Sequence, residues 1–107
     1  MNLIGRIFVR TTRYRDTHNT FYRVVDQKND GLTVQMIEAK VIKGDMWHGA
    51  EVPMDELRED QKPILAVPRK NPEGKTTFWI RPFKQWRDTE PIYLHEDGKE
   101  YSFTNYE

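Results

Sequence analysis

The fold class is decided by residues 21–36, which read Phe-Tyr-Arg-Val-Val-Asp-Gln-Lys-Asn-Asp-Gly-Leu-Thr-Val-Gln-Met. Aromatic and β-branched residues at both ends of this stretch suit a pleated, half-buried surface, so each end predicts a β-strand. Between them, Asn29, Asp30 and Gly31 tolerate the positive φ that a tight turn requires. The stretch therefore predicts an antiparallel hairpin.

Strand patterns continue on both sides of this hairpin. Ile7 opens an earlier strand, and the alternation of Leu32 and Val34 shifts phase near Met36, which predicts a bulge or a strong bend. Further strands are predicted at 64–67, 77–81, 92–95 and 101–103. About six short strands with frequent turns predict an all-β fold, either a small barrel or two packed antiparallel sheets, with residues 1–107 forming a single domain.

Two segments depart from the strand pattern. Residues 43–53 lose the alternation around Gly44 and Gly49, so we expect an ordered loop there, with Trp47 as its apolar plug. Residues 53–60 are rich in acids that favour the start of a helix, so they predict one short helical turn at most. No other helix is expected.

Composition limits the classes of function. The chain of 107 residues has 13 aromatic residues, no cysteine and a formal net charge of zero. Aromatic content at this level argues for a folded core, and the lack of cysteine suits a reducing compartment. The N-terminus has charges within its apolar run and resembles a strand rather than a signal peptide. We therefore expect a cytoplasmic protein without a membrane span.

The neutral net charge hides a segregation of charge along the chain. Residues 6–23 and 62–87 are basic, with net charges of +4 and +6, whereas residues 51–60 and 88–107 carry −4 and −5. Such segments either neutralise one another locally or form a bipolar surface with one basic face for a polyanion. The sequence leaves both arrangements open.

The second basic segment carries the leading functional hypothesis, which is binding to nucleic acid or to a nucleic-acid-processing complex. Cations there alternate with aromatic rings, and single-strand binders on β-sheets use such cations for phosphates and such rings for base stacking. The predicted binding residues are Arg69, Lys70, Trp79, Arg81, Lys84, Trp86 and Arg87. No base-reading motif accompanies them.

Protein binding is the alternative, with the chain as an inhibitor of another protein. Exposed tryptophan, tyrosine and arginine anchor many interfaces. Trp47 is one candidate anchor, and Tyr14 and Arg15 lie in a predicted polar loop, residues 12–20, for which the sequence indicates no core role. The acidic stretch at 51–60 could meet a protein that binds nucleic acid.

Catalysis is not expected. Asp30, Glu38 and Lys40 have the order that some metal-dependent nucleases use, but this order arises easily by chance and Asp30 already has a role in the turn. The histidines, His18 and His48 among them, lack the spacing of metal ligands. We predict a non-enzymatic domain with no metal, cofactor or small-molecule substrate.

Four motifs follow one another along the chain: Ile4-Gly5-x-Ile7-Phe8-Val9, Tyr14-x-x-Thr17-x-x-x-Phe21-Tyr22-x-Val24-Val25, Gly49-x-x-Val52-Pro53 and Asp97-Gly98-Lys99-x-Tyr101-x-x-x-x-Tyr106. Together they resemble a widespread family of small, functionally uncharacterised proteins of tailed bacteriophages. The sequence departs from the family at Arg15, His18, Glu96 and Glu100. The resemblance implies a phage accessory protein in the cytoplasm of the bacterial host and implies no catalytic residue. In the protein-binding alternative, the chain would then inhibit a host enzyme or an anti-phage defence factor. A minor component of the virion is a further possibility.

Overall fold

The computed structural model describes residues 2–29, 31–81 and 89–105, with Tyr14 by its backbone alone. Within these residues the chain forms eight β-strands and no helix. The strands are β1 (Ile7–Tyr14), β2 (Asp16–Lys28), β3 (Gly31–Gly44), β4 (His48–Leu57), β5 (Ile64–Lys70), β6 (Thr76–Ile80), β7 (Glu90–Leu94) and β8 (Tyr101–Thr104). Every pairing between them is antiparallel.

Six of the strands follow one another in a closed ring of pairings, in the order β1, β2, β3, β5, β6, β7 and back to β1. The predicted hairpin at residues 21–36 is β2 and β3, whose pairing runs from Phe21 opposite Ile37 to Lys28 opposite Gly31. The prediction of an all-β fold is confirmed. Of the two expected arrangements, a small barrel or two packed sheets of about six strands, the ring of pairings is closer to the barrel, and β4 and β8 are additional strands.

The main core fills the inside of the ring. Alternation along each strand turns every second side chain inward. The inward-facing buried residues are Phe8, Tyr22, Val24, Leu32, Val34, Ala66, Ile80 and Ile92. Burial of each large side chain of this kind stabilises the fold by about 1.5–3 kcal/mol, so the ring is a firm support for whatever its outer face carries.

A second core lies outside the ring, where β4 and β8 cover part of its outer face. β4 extends the sheet from the second half of β3, and β8 pairs with β4. Val9, Phe21, Ile37 and Tyr101 are buried between these layers. The rings of Phe21 and Tyr101 meet edge to face with their centroids 5.3 Å apart, a favoured aromatic geometry.

Two predicted loops are wrong, the optional helical turn does not form, and one prediction is confirmed. Residues 43–53, predicted as a loop, form the end of β3, a turn and the first part of β4. Residues 53–57, from the segment 53–60 that could have formed a helical turn, are strand, because β4 pairs with β3 as far as Leu57, while β8 pairs with residues 48–51 of β4. Pro53 is tolerated opposite Ala39 because the register shifts there, between Ile37 and Ala39. That shift is the predicted bulge near Met36. Residues 12–20 form the hairpin of β1 and β2 rather than a loop.

Candidate nucleic-acid interface

Three of the predicted binding residues lie together on the outer face of the ring. Ala66 and Ile80 are fully buried, so alternation along β5 and β6 turns Arg69 and Trp79 outward, and Arg81 continues the outward side beyond β6. The Arg69 guanidinium carbon lies 5.0 Å from the centre of the Trp79 ring. This distance is within the range of a cation–π contact.

Apolar side chains surround this pair. Val67 is the cross-strand partner of Trp79, and Val67 and Leu65 are exposed. With Ile64 and Thr89 they line a shallow concavity of about 360 Å³. Among the described residues that line it, the charged ones are Arg69 and Arg81 and none is acidic. We call the surface formed by Leu65, Val67, Arg69, Trp79 and Arg81 the tryptophan face.

One other predicted nucleic-acid-binding residue, Lys70, is not part of this face. Lys70 follows Arg69 on β5 and lines a separate concavity with Leu3 and Phe78, because successive side chains of a strand point to opposite sides. The remaining predicted residues, Lys84, Trp86 and Arg87, lie outside the described residues.

The residues predicted for protein binding lie at one end of the molecule. The turn of the β1–β2 hairpin contains Arg15, and the β3–β4 turn contains Trp47. Thr104 links them: its Oγ1 accepts a hydrogen bond from the Thr17 N–H (2.7 Å), and it pairs with His48 in the sheet. Tyr14 precedes Arg15 in β1, and its side chain is not among the described groups.

The Trp47 side chain is exposed at the β3–β4 turn and does not fill the interior of a loop. The Asp45 Oδ1 accepts hydrogen bonds from the backbone N–H groups of Trp47 (2.8 Å) and His48 (3.2 Å), and these bonds hold the pKa of Asp45 below its usual value. The Asn105 N–H donates to the Trp47 carbonyl (2.6 Å). The turn is thus well braced, although Trp47 is 47% and Met46 71% exposed. The predicted plug is wrong because the turn extends beyond both cores.

A larger concavity, which the sequence did not indicate, lies between the outward side chains of β1 and β7 and the start of β8. Its volume is about 530 Å³. Its lining includes Arg13 from β1, Tyr93 from β7, and Lys99 and Ser102 from the region of β8. Alternation along β1 would have placed Arg13 outward, but only the tertiary structure brings these segments together. We call this concavity the β8 groove.

A buried ion pair lies at one end of the ring, beside this groove. Arg10 Nη1 donates a 2.6 Å hydrogen bond to Glu90 Oε2, and the Arg10 side chain is only 10% exposed. Thr12 and Thr20 hydroxyls also accept from the guanidinium. Burial raises the pKa of the neighbouring Tyr22 hydroxyl, against the opposing effect of the Arg10 charge. This cluster joins β1, β2 and β7 and fixes their ends.

The remaining titratable pair is His95 and Tyr101, whose Nδ1 and hydroxyl oxygen lie 2.8 Å apart. Burial lowers the pKa of His95 and raises the pKa of Tyr101, so both groups are neutral near pH 7. A neutral pair in contact with the second core is suited to packing. Among the described residues it has no third group in the position that activates a nucleophile.

The residues that the structure describes form neither a metal-binding site nor a nuclease site. Within residues 2–29, 31–81 and 89–105, no three histidine, aspartate or glutamate side chains are grouped to hold a metal ion. Glu38, from the nuclease-like motif, pairs with Arg58 (3.6 Å), and Asp30 lies outside the described residues. The described residues also include no helix long and apolar enough to cross a membrane.

Comparisons of the chain with protein-family models, with curated proteins and with solved structures give no match.

Proposed function

We propose that this chain is a non-catalytic domain that binds single-stranded nucleic acid on its tryptophan face. The observation that carries the proposal is the Arg69–Trp79 pair on the outer face of a rigid ring, with Arg81 beside it and no acidic side chain among the described lining residues. As part of the same proposal, the resemblance to tailed-phage proteins favours an accessory role in the cytoplasm of an infected bacterium.

The chemistry of the face favours a single strand over a duplex. A base stacks on an aromatic ring or on a flat guanidinium only when its own face is free, and the bases of a duplex are already stacked. Arg69 and Arg81 are positioned to neutralise phosphates on either side of such a base, while Leu65 and Val67 offer apolar contact. Sequence preference is expected to be weak, because every base has a face that can stack.

The number of contacts sets the expected affinity. Two cations on a single strand give a slope of about −1.4 in a plot of log K against log salt. Stacking on one tryptophan contributes about 1–3 kcal/mol. Non-specific binding to nucleic acid typically has a dissociation constant of about 10⁻⁴–10⁻⁶ M, and with so few contacts we expect a value toward the weak end of this range, with affinity falling steadily as salt rises.

A matched pair of charge reversals tests the proposal. Arg69→Glu and Lys70→Glu change charge equally at neighbouring positions of β5, but only Arg69 lies on the tryptophan face. Fluorescence anisotropy with labelled oligonucleotides should show a loss of about tenfold or more for Arg69→Glu and little change for Lys70→Glu. Trp79→Ala should weaken binding by a similar factor. Equal losses for the two charge reversals, or no binding by the wild type at low salt, would refute this function.

A second candidate function is docking to a host protein, and the braced display of Trp47 and Met46 favours it. A rigid, exposed tryptophan resembles the anchors that dominate protein interfaces. The acidic stretch at 51–60 lies on β4 and its exit, so it is available to a basic partner. In this case a defined host protein should bind the wild type and the Trp79→Ala variant equally, and Trp47→Ala should lose it.

A further inference from the structure

The β8 groove has an excess of positive charge. Glu90, which lines it, is held by Arg10 at 2.6 Å, and Glu100 is held by Lys43 at 3.3 Å. Each acid is thus neutralised by its own partner. Arg13 and Lys99 also line the groove, and neither forms an ion pair with a carboxylate of the described residues.

The groove also offers aromatic and polar groups beside these cations. Tyr93 is 59% exposed, so one side of its ring is open to a ligand. Lys99 Nζ lies 5.3 Å from the centre of the Tyr101 ring, a contact that keeps the ammonium over the groove. Thr11, Thr17 and Ser102 supply hydroxyl groups along its walls. Cations, an open ring and hydroxyls together suit a phosphodiester chain with unstacked bases.

The groove continues directly from the tryptophan face. Trp79 is paired with Pro91 on β7, and Pro91 lines the groove. Tyr93 is the next outward residue of β7 and pairs with Val9 on β1. Neighbouring strands lie about 4.8 Å apart, so the path from β5 to β1 spans three spacings, or about 14 Å. A fully stacked strand rises roughly 3.4 Å per nucleotide along its axis and a strand with splayed bases is more extended, so about four nucleotides are enough to cover this distance.

We propose that the nucleic acid crosses the strands from the tryptophan face into the β8 groove, where Arg13 and Lys99 bind phosphates and Tyr93 stacks a second base. The inference rests on the proposed function, and it specifies the ligand as a single strand of at least about four nucleotides. With both surfaces occupied, four cations contact phosphates. The slope of log K against log salt should then steepen from about −1.4 to about −2.8.

The dependence of affinity on oligonucleotide length distinguishes the contribution of the β8 groove from that of the tryptophan face. We would titrate oligothymidylates of about 3, 6, 9 and 12 nucleotides against the wild type, Arg13→Glu, Tyr93→Ala and a control charge reversal, Lys40→Glu, at an exposed position of β3. The wild type and the control should gain about tenfold in affinity between the shortest oligonucleotide and the 9-mer. Arg13→Glu and Tyr93→Ala should bind the 3-mer as the wild type does but lose most of this gain. Circular dichroism and the thermal midpoint check that each variant is folded.

Failure of this inference and failure of the proposed function would give different binding results. If the wild type binds oligonucleotides and Arg13→Glu gains with length as much as Lys40→Glu does, the groove is not used and the inference is wrong, while the proposed function stands. If Arg13→Glu weakens the 3-mer as much as the 12-mer, the surfaces are not successive parts of one path, which also overturns the inference. If no oligonucleotide binds at low salt, the proposed function itself fails.

Discussion

Glu90→Gln should destabilise the protein strongly, although it changes one oxygen to an amide nitrogen. The substitution removes the negative charge that faces the Arg10 guanidinium at 2.6 Å. The Arg10 side chain is 10% exposed and that of Glu90 27%. A buried guanidinium that loses its carboxylate keeps its desolvation cost without the compensating attraction. Neutral hydroxyls of Thr12 and Thr20 only partly replace that attraction.

The magnitude follows from the burial of the pair. Two unit charges about 4 Å apart attract by roughly 4 kcal/mol at an effective dielectric constant of about 20. Glu90 is about one quarter exposed, and the amide oxygen of the Glu90→Gln variant would still accept a hydrogen bond. We therefore expect a loss of about 2–3 kcal/mol in the free energy of unfolding. A domain of this size has roughly 5–15 kcal/mol in total, so the variant should still fold.

Urea unfolding followed by tryptophan fluorescence measures this loss. With a slope of about 1–1.5 kcal/mol per M, the midpoint should fall by about 2 M. Asp55→Asn is the control, because Asp55 forms an ion pair with Arg23 at 3.5 Å but its side chain is fully exposed. It should leave the midpoint almost unchanged. A double-mutant cycle with Arg10→Leu should give a coupling of about 2 kcal/mol; a coupling below about 0.5 kcal/mol would refute the reasoning.

Three further predictions concern the stability of the protein. Gly49→Ala should destabilise the protein at the β3–β4 turn by at least about 2 kcal/mol, because an added Cβ would collide with the Lys43 carbonyl oxygen. At Gly31 an added Cβ would meet only ordinary contacts, so Gly31→Ala should leave the urea midpoint nearly unchanged. The pKa of His95 is lowered by burial, so the unfolded chain binds its proton more readily. Stability should therefore fall as pH drops from about 7 toward 5 through the unfolded value near 6.5, and His95→Asn should flatten that pH dependence of the urea midpoint. Tyr101→Ala should cost about 3–5 kcal/mol by opening the second core, a loss visible as a lower thermal midpoint.

Most of the ring could be predicted from local pattern, and β4 could not. The alternation of Leu32 and Val34 and the turn residues before them are local features, and they indicate both the hairpin and the bulge. The segment at 51–57 has acids and Pro53, which are poor strand formers. It becomes a strand because the second half of β3 offers unpaired backbone groups along it, and the distant β8 pairs with the start of the same strand, from His48 to Glu51. The need to pair these backbone groups arises from the tertiary structure and leaves little trace in the local sequence.

The candidate site was predicted in part for the same reason. Alternation along β5 and β6 is sufficient to place Arg69 with Trp79, and it also separates Lys70 from them. The β8 groove joins β1, β7 and the turn before β8. Arg13 and Lys99 are 86 positions apart in the chain, and each one alone is an ordinary exposed cation. Only the pairing of β1 with β7 and the return of β8 bring the two into one surface.

The candidate site lies on paired strands, which limits how much its side chains can rearrange when a ligand binds. Trp79 is anchored between Val67 and Pro91 across the sheet, with the buried Ile80 beside it, so little conformational entropy remains for a ligand to remove. Binding to such a surface has a low ordering cost, and the affinity is then set by the number of rings and phosphates engaged. If the proposed function holds, a short oligonucleotide that contacts one ring and two cations of the tryptophan face should bind weakly. Tight binding by this neutral chain should then require a longer ligand that also fills the β8 groove, so we expect affinity to depend on length more than on base sequence.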